Sequence, residues 1–265
     1  MTAKVTALFD KIWQQYLTVT PSAKKIHHLL GNGKDIINDH VAYRTFNIEK
    51  VNLDKLAKHL LSIGYSECGQ YDFVAKKLTA KHFEHNNSTM PKVFISELRV
   101  EEFSDEIRTI IHNLVDQLPN NISEQTDFLY SGGTWNISSK DYNTLLATSE
   151  YAAWLSAWGY RANHFTVSIN HLDDFDCIID VNNRLKNAGY TLNNAGGEIK
   201  GDKTVKLEQS SILADKASVE FSDVTLEIPS CFYEFAARYP LANGELYTGF
   251  VAASADKIFE STNVT

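Results

Sequence analysis

His40 and Arg44 stand four residues apart in Asp39-His40-Val41-Ala42-Tyr43-Arg44-Thr45-Phe46, and His164 opens a similar run, Asn163-His164-Phe165-Thr166-Val167-Ser168. Side chains two apart on a strand share a face. As strands, the two runs set His40, Ala42, Arg44 and Phe46 on one side, and His164, Thr166, Ser168 and Asn170 on one side. A third run near the end of the chain would align Phe232, Glu234, Ala236 and Arg238, with Cys231, Tyr233 and Phe235 packing on the opposite side. Two imidazoles and a carboxylate converging in the concavity of a curved sheet leave open metal positions opposite them, the arrangement expected of a non-haem Fe(II) oxygenase. Pattern alone does not choose the carboxylate. Glu97, Glu220 and Glu227 stand beside Glu234, and Glu97 closes the first half of the chain much as Glu234 closes the second.

Arg44 bears on the substrate. Four residues along a strand is roughly 13 Å, less what the side chains lean back. A guanidinium at that distance suits the far carboxylate of a short diacid whose near end chelates the metal, because its planar fork pairs with a carboxylate in two places. Arg44 is therefore counted with both the catalytic and the substrate-binding groups. Gln209, Ser210 and Ser211 form a polar patch in a strand-like run; they could hydrogen-bond the substrate or the groups behind the ligands, or simply solvate an edge. His27, His28, His59, His82, His85, His112 and His171 lack a repeated context and read as surface or structural. Tyr233 and Arg238 are assigned to packing and surface pairing, and Trp154 and Trp158 to a helix face in the core.

These residues need elements to position them. After a helical start over the first thirty residues, Asp39–Asn47 reads as a strand and Val51–Ile63 as a helix with Leu53, Leu56, Leu60 and Leu61 on one side and Gly64 as its stop. Tyr65–Val74, Lys77–Phe83 and Lys92–Val100 supply three more strands. Glu101–Leu118 and Tyr142–Trp158 are helical connections. The order then returns: strand His164–Asn170, helix Leu172–Ala188, a Gly196-Gly197 turn, and strands within Val205–Leu213, Ala217–Ser222 and Cys231–Arg238. His40 lies 24 residues before Gly64-Tyr65, and His164 lies 25 before Gly189-Tyr190. The expectation is an α+β fold of tandem βαβββ units forming a curved mixed sheet with additional helices. Residues 1–265 form a single domain of two units: 1–100 with the N-terminal helices, a helical connection over 101–161, and 162–265 with the C-terminal tail.

A net charge of −8 with no Lys/Arg run argues against nucleic acid. The first sixteen residues carry Asp10 and lack a basic start and a long apolar run, so neither a signal peptide nor a membrane anchor is expected. Cys68, Cys177 and Cys231 are odd in number and widely spaced, and read as reduced core residues of a cytoplasmic protein.

Strand–helix–three-strand units in tandem, with a His on each first strand and a Glu on the last, resemble the vicinal oxygen chelate superfamily. Phe232-Tyr233-Glu234-Phe235-Ala236-Ala237-Arg238 is similar to the closing strand of 4-hydroxyphenylpyruvate dioxygenase, whose Glu binds iron, which favours Glu234 over its rivals. The chain more closely resembles the 2-oxoadipate dioxygenase/decarboxylase family, also called hydroxyglutarate synthase. The likeness is carried by Asp39 to Phe46 including Arg44, by Asn163-His164-Phe165, by Ile228 to Phe235, and by the 70 residues from His164 to Glu234. Characterised members are considerably longer, so this chain looks like a short form. The resemblance implies Fe(II) held by His40, His164 and Glu234, and a 2-oxo acid and O2 as small-molecule partners. It also implies conversion of 2-oxoadipate to 2-hydroxyglutarate with loss of CO2. Two other classes fit the same residues: a lyase, isomerase or hydrolase using Zn²⁺, Ni²⁺ or Mn²⁺, and a 2-oxo acid binding module without turnover.

Overall fold

The computed structural model describes residues 2–263. Two helices, α1 (Thr2–Leu17) and α2 (Pro21–Gly31), lead into the first unit, β1 (Asn38–Phe46), α3 (Leu53–Leu61), β2 (Tyr65–Phe73), β3 (Leu78–His85) and β4 (Lys92–Leu98). Asn52 starts α3 by accepting the Lys55 N–H, and Leu53, Leu56 and Leu60 bury one face. Leu61, expected on that side, is exposed. The connection holds α4 (Asp105–Asp116), α5 (Ser139–Leu146) and α6 (Glu150–Trp158). The one helix expected over Tyr142–Trp158 is thus two, because Ser149 caps a new one by accepting the Ala152 N–H. Trp154 and Trp158 do lie in the core, their indoles donating to the carbonyls of Ser230 and Pro229.

The second unit runs β5 (Ala162–Ser168), α7 (Ile178–Asn187), β6 (Lys200–Asp202), β7 (Leu207–Ser211), β8 (Lys216–Glu220), β9 (Thr225–Pro229) and β10 (Phe232–Arg238), followed by α8 (Ala252–Ile258) and a final 3₁₀ turn, Phe259–Thr262. β5 stops two residues earlier than expected, and Asn170 sits in a turn, bonded to the Arg238 backbone through both its amide oxygen and nitrogen. α7 begins at Ile178 rather than Leu172. Of its expected strands, Ala217–Ser222 stays out of the main sheet: β8 pairs with β9 alone, and only Val219 of β8 is buried, so it has no second apolar face to offer. The edge position falls to β6, after a turn in which Gly196 and Gly197 both have positive φ.

Eight strands form one sheet in the order β2-β3-β4-β1-β5-β10-β7-β6. β1 runs parallel to β4, β5 parallel to β10, and β1 antiparallel to β5 at the centre. Each unit repeats one βαβββ path, and a local two-fold axis between β1 and β5 exchanges them. Trp13 and Tyr16 of α1 pack against Phe165 on the outer face, and Tyr16 donates to the Phe232 carbonyl at 2.5 Å. On the inner face stand His40, His164 and Glu234. Almost every residue of β1, β5 and β10 is buried, since both faces are covered. Gly159, at the end of α6, has φ 63°, and a Cβ there would lie 2.2 Å from the Gly132 carbonyl oxygen. Only glycine fits. Cys231 is buried, but Cys68 is exposed and Cys177 half-buried, against their expected place in the core; all three are free thiols. No helix among the described residues is long and apolar enough to cross a membrane.

Candidate metal centre

The β1–β5 ladder sets His40 opposite Thr166 and Ala42 opposite His164. The β5–β10 ladder sets Glu234 beside the same Thr166. One Thr is therefore ringed by all three candidate ligands on three adjacent strands. Their donor atoms lie within 4.8 Å of one another. His40 Nε2 is 3.5 Å from Glu234 Oε1, and His164 Nε2 is 3.1 Å from Glu234 Oε2. All three side chains are buried, Glu234 completely.

The orientation of each imidazole has a local cause. The β1–β5 ladder skips one residue between Asn38 and His40, and one on β5 between His164 and Ala162. The skipped residues are Asp39 and Asn163, each just before a candidate ligand. Such bulges break the alternation of faces and re-aim a side chain. Asp39 Oδ1 thereby meets His40 Nδ1 at 2.7 Å, and Asn163 Oδ1 meets His164 Nδ1 at 3.1 Å. With the Nδ1 protons committed to these acceptors, His164 turns its Nε2 lone pair toward Glu234, while His40 Nε2 meets the Thr166 hydroxyl at 3.0 Å with Glu234 just beyond it. Phe232 stacks on His164, with centroids 4.5 Å apart, and Phe250 meets His40 edge-on at 4.8 Å.

The electrostatics suit a cation. Burial pushes the His164 pKa below its ordinary value, outweighing the pull of Glu234, and so favours the neutral form that can act as a ligand. Burial alone would raise Glu234, but the two imidazoles and the Gln209 amide hold its carboxyl below the usual range. Gln209 Nε2 donates to Glu234 Oε1 at 2.6 Å, whereas Oε2 accepts no hydrogen bond. A fully buried carboxylate oxygen without a donor is expensive, and a divalent cation between it and two Nε2 atoms removes that cost. The residues fit a metal.

The other expected site residues fall in different places. Gln209 backs Glu234. Ser211 bonds to Ser261 of the final turn, and Ser210 faces the opposite side, donating to Asn182. Glu97 is on the outer face, where it accepts the Leu53 N–H at the start of α3 and the Thr79 hydroxyl. Glu220 and Glu227 are exposed on the separate hairpin. The local two-fold puts Phe94, opposite Ala42 on β4, where the second unit has Glu234. Arg238 is the clearest correction. It is buried, not at the surface, and its Nε and Nη2 grip both Asp39 oxygens at 2.6 and 2.8 Å. Asp39, Asn163 and Arg238 were missed as functional residues, although the Asp-His and Asn-His pairs near the start of each strand are a readable signal. His82 is buried too, held between the Tyr71 hydroxyl and Glu84, which also pairs with Lys92.

Arg44 lies on the inner face of β1 in a cage of Tyr151, Trp154 and Phe259. Its Nη1 bonds both oxygens of Glu150 at 3.0 and 3.1 Å, and Nη2 bonds the Thr262 hydroxyl at 3.0 Å. Its buried Nε has no hydrogen-bond partner among the described residues. The Nε–Nη2 edge, the one a carboxylate would take bidentately, is held by a single hydroxyl. Over the three ligands, Phe250, Ala255, Ile258 and Phe259 close a cavity of about 20 Å³ that Phe94 and Gln209 also line, room for about one water.

The 2-oxoadipate dioxygenase/decarboxylase family model matches residues 2–245. The chain belongs to this family. It is 34% identical over 279 residues to the chloroplastic 2-oxoadipate dioxygenase/decarboxylase of Arabidopsis thaliana, a match that covers 93% of this chain and 74% of that one. The structure of hydroxyglutarate synthase from Oryza sativa in complex with 2-oxoadipate superposes with a TM-score of 0.91 at 34% identity, over 97% of this chain and 91% of the other. A protein of Shewanella frigidimarina, described as a candidate hydrolase, is 61% identical over 94% of this chain and 98% of its own, also with a TM-score of 0.91. A glyoxalase-superfamily structure from Ralstonia eutropha, at 20% identity and a TM-score of 0.75 over 93% of this chain and 85% of the other, shares the fold. The sheet thus has the fold of that glyoxalase-superfamily structure, the architecture that the resemblance to the vicinal oxygen chelate superfamily implied.

Proposed function

We propose that this chain oxidatively decarboxylates a short 2-oxo dicarboxylic acid, taking 2-oxoadipate and O2 to 2-hydroxyglutarate and CO2, at Fe(II) held by His40, His164 and Glu234. The balance closes: one oxygen atom enters the new carboxylate, the other the hydroxyl, and the original carboxylate leaves as CO2. Iron in that site supplies the redox chemistry that side chains lack. The chain's own part is to hold and shape. His40, His164 and Glu234 would hold the cation from β1, β5 and β10, leaving room for the substrate's carboxylate and 2-oxo oxygens to bind it. Arg44 receives the distal carboxylate on its Nε–Nη2 edge, while Glu150 fixes the guanidinium from the Nη1 side. Tyr151 and Trp154, which lie outside the final segment, shield that ion pair from water and strengthen it.

The observation that carries this reading is the pairing of two incomplete groups on one face: a buried Glu234 oxygen without a donor, and a buried Arg44 Nε–H without an acceptor. A six-carbon diacid exceeds a one-water cavity, so binding displaces the segment from Phe250 to Thr262 that fills the space. The test is oxygen uptake and CO2 release with 2-oxoadipate in protein loaded anaerobically with Fe(II). Product formation that needs no O2 would instead favour the hydrolase description carried by the Shewanella relative.

A further inference from the structure

Arg238 makes more contacts than an ion pair to Asp39 needs. Its Nη1 donates to the carbonyls of Tyr247 at 2.9 Å and Gly249 at 2.8 Å. Those two residues deliver Phe250, whose ring lies 5.3 Å from the guanidinium carbon and 4.8 Å from the His40 ring. The Phe250 N–H is bonded to the Tyr71 hydroxyl at 3.1 Å, which ties the strap to β2. One buried cation therefore grips both the carboxylate that orients His40 and the backbone that carries the wall over it. Burial would depress the Arg238 pKa, but Asp39 holds it raised, and burial of Asp39 is likewise overcome by Arg238 and His40. The two stay charged in the interior. His164 has no counterpart: Asn163 is a neutral amide, and its Nδ2 has no partner.

We propose that Arg238 is a positioning residue that couples the orientation of His40 to closure of the strap Tyr247–Phe250. If Asp39 shifts to follow a metal-bound His40, the guanidinium and the two carbonyls it holds shift with it. Conversely, when the strap lifts to admit substrate, Arg238 loses two acceptors and is held by Asp39 alone, which frees the Asp39–His40 pair to shift. The fork geometry is required, since an ammonium at this place cannot hold two carboxylate oxygens and two carbonyls at once.

The inference rests on the metal-site reading, and zinc, as a redox-inert probe, tests both separately. Zn²⁺ affinity is measured by competition with a chromophoric chelator, and amide hydrogen exchange is followed in the segment 244–262 with and without saturating Zn²⁺. In the wild-type chain, Zn²⁺ is expected to slow exchange at Tyr247–Phe250. Arg238→Lys should weaken Zn²⁺ ten- to hundred-fold, the usual effect of losing a group behind a ligand, and should abolish the zinc-dependent slowing even at saturation. Asp39→Asn, a smaller change, should also lose the slowing, and it serves if Arg238→Lys does not fold. Failure of the wild type to bind Zn²⁺ overturns the metal site itself. Tight Zn²⁺ binding by the wild type, with unchanged affinity or retained zinc-dependent slowing in the variants, overturns the coupling alone.

Discussion

Replacing Arg44 by Lys isolates the role of the free guanidinium edge. In the structure Nη1 is committed to Glu150, so a substrate carboxylate has Nε and Nη2 to bond. Each charge-assisted bond is worth about 1.5–3 kcal/mol. A lysine keeps one of the two, which puts the loss at about 2 kcal/mol, or roughly thirty-fold in kcat/KM. Other losses accompany it, notably the paired bonds to Glu150 and the stacking on Trp154 at 4.9 Å, and these depress turnover of every substrate alike. The discriminating quantity is therefore a ratio. The assay is oxygen consumption with 2-oxoadipate and with the 2-oxo monoacid of equal chain length, on protein of verified iron content and melting temperature. The diacid-to-monoacid ratio of kcat/KM should fall roughly thirty-fold. A ratio that moves less than about three-fold in a folded, iron-loaded variant would remove Arg44 from substrate recognition.

Three further outcomes follow from the same geometry. In the metal-free protein His164 has a folded pKa below 6.5, so the unfolded chain takes up this proton first. Stability from this source is complete above pH 6.5 and is lost as pH falls through the folded value, and metal affinity declines over the same window; urea melts and chelator competition between pH 5 and 8 check it. Lys200 is buried, its ammonium held by the Asn193 carbonyl, and burial, against the pull of Glu234 and Glu260, lowers its pKa from 10.5 to about 8. That gap corresponds to at most about 3 kcal/mol of destabilisation at pH 7. Lys200→Met should raise the melting temperature, with an advantage that shrinks as pH rises from 8 toward 10.5. Gly159→Ala should cost about 3 kcal/mol or more, because the new methyl meets a carbonyl oxygen at 2.2 Å in a backbone region that disfavours side chains; thermal denaturation measures it.

Most of the extended runs and the two histidines were legible because they obey simple periods, whereas Glu234 was set above Glu97, Glu220 and Glu227 only by resemblance. His40, His164 and Glu234 fall on alternating, largely apolar runs, and the repeat spacing pairs the two histidines before any coordinates exist. What escaped were features that break the period. The bulges at Asp39 and Asn163 move two polar residues off the face that alternation assigns them, so neither was read as a partner of a ligand. Arg238 looked like a strand-end charge bound for solvent, because nothing local announces an Asp39 lying 199 residues earlier. Glu97 seemed to rival Glu234 only while register was unknown. One residue of offset relative to Phe94 and Ser96 turns it to the outer face, where it starts α3. The strand Ala217–Ser222 was expected in the main sheet, and its partner β9 was not foreseen, for a related reason: strand propensity says that a segment extends, not which neighbour it extends beside.

Phe94 in the place of Glu234 gives the duplicated frame a direction. Symmetry alone would let a cation between the two imidazoles accept a third donor from either flank. A phenyl ring on one flank and a carboxylate on the other break the tie, so a cation held there would take its third donor from β10 and face Phe94 on the β4 side. Incoming acid must then approach over an oily wall rather than a hydrogen-bonding one, and a three-carbon methylene run is the part of such a molecule that belongs there.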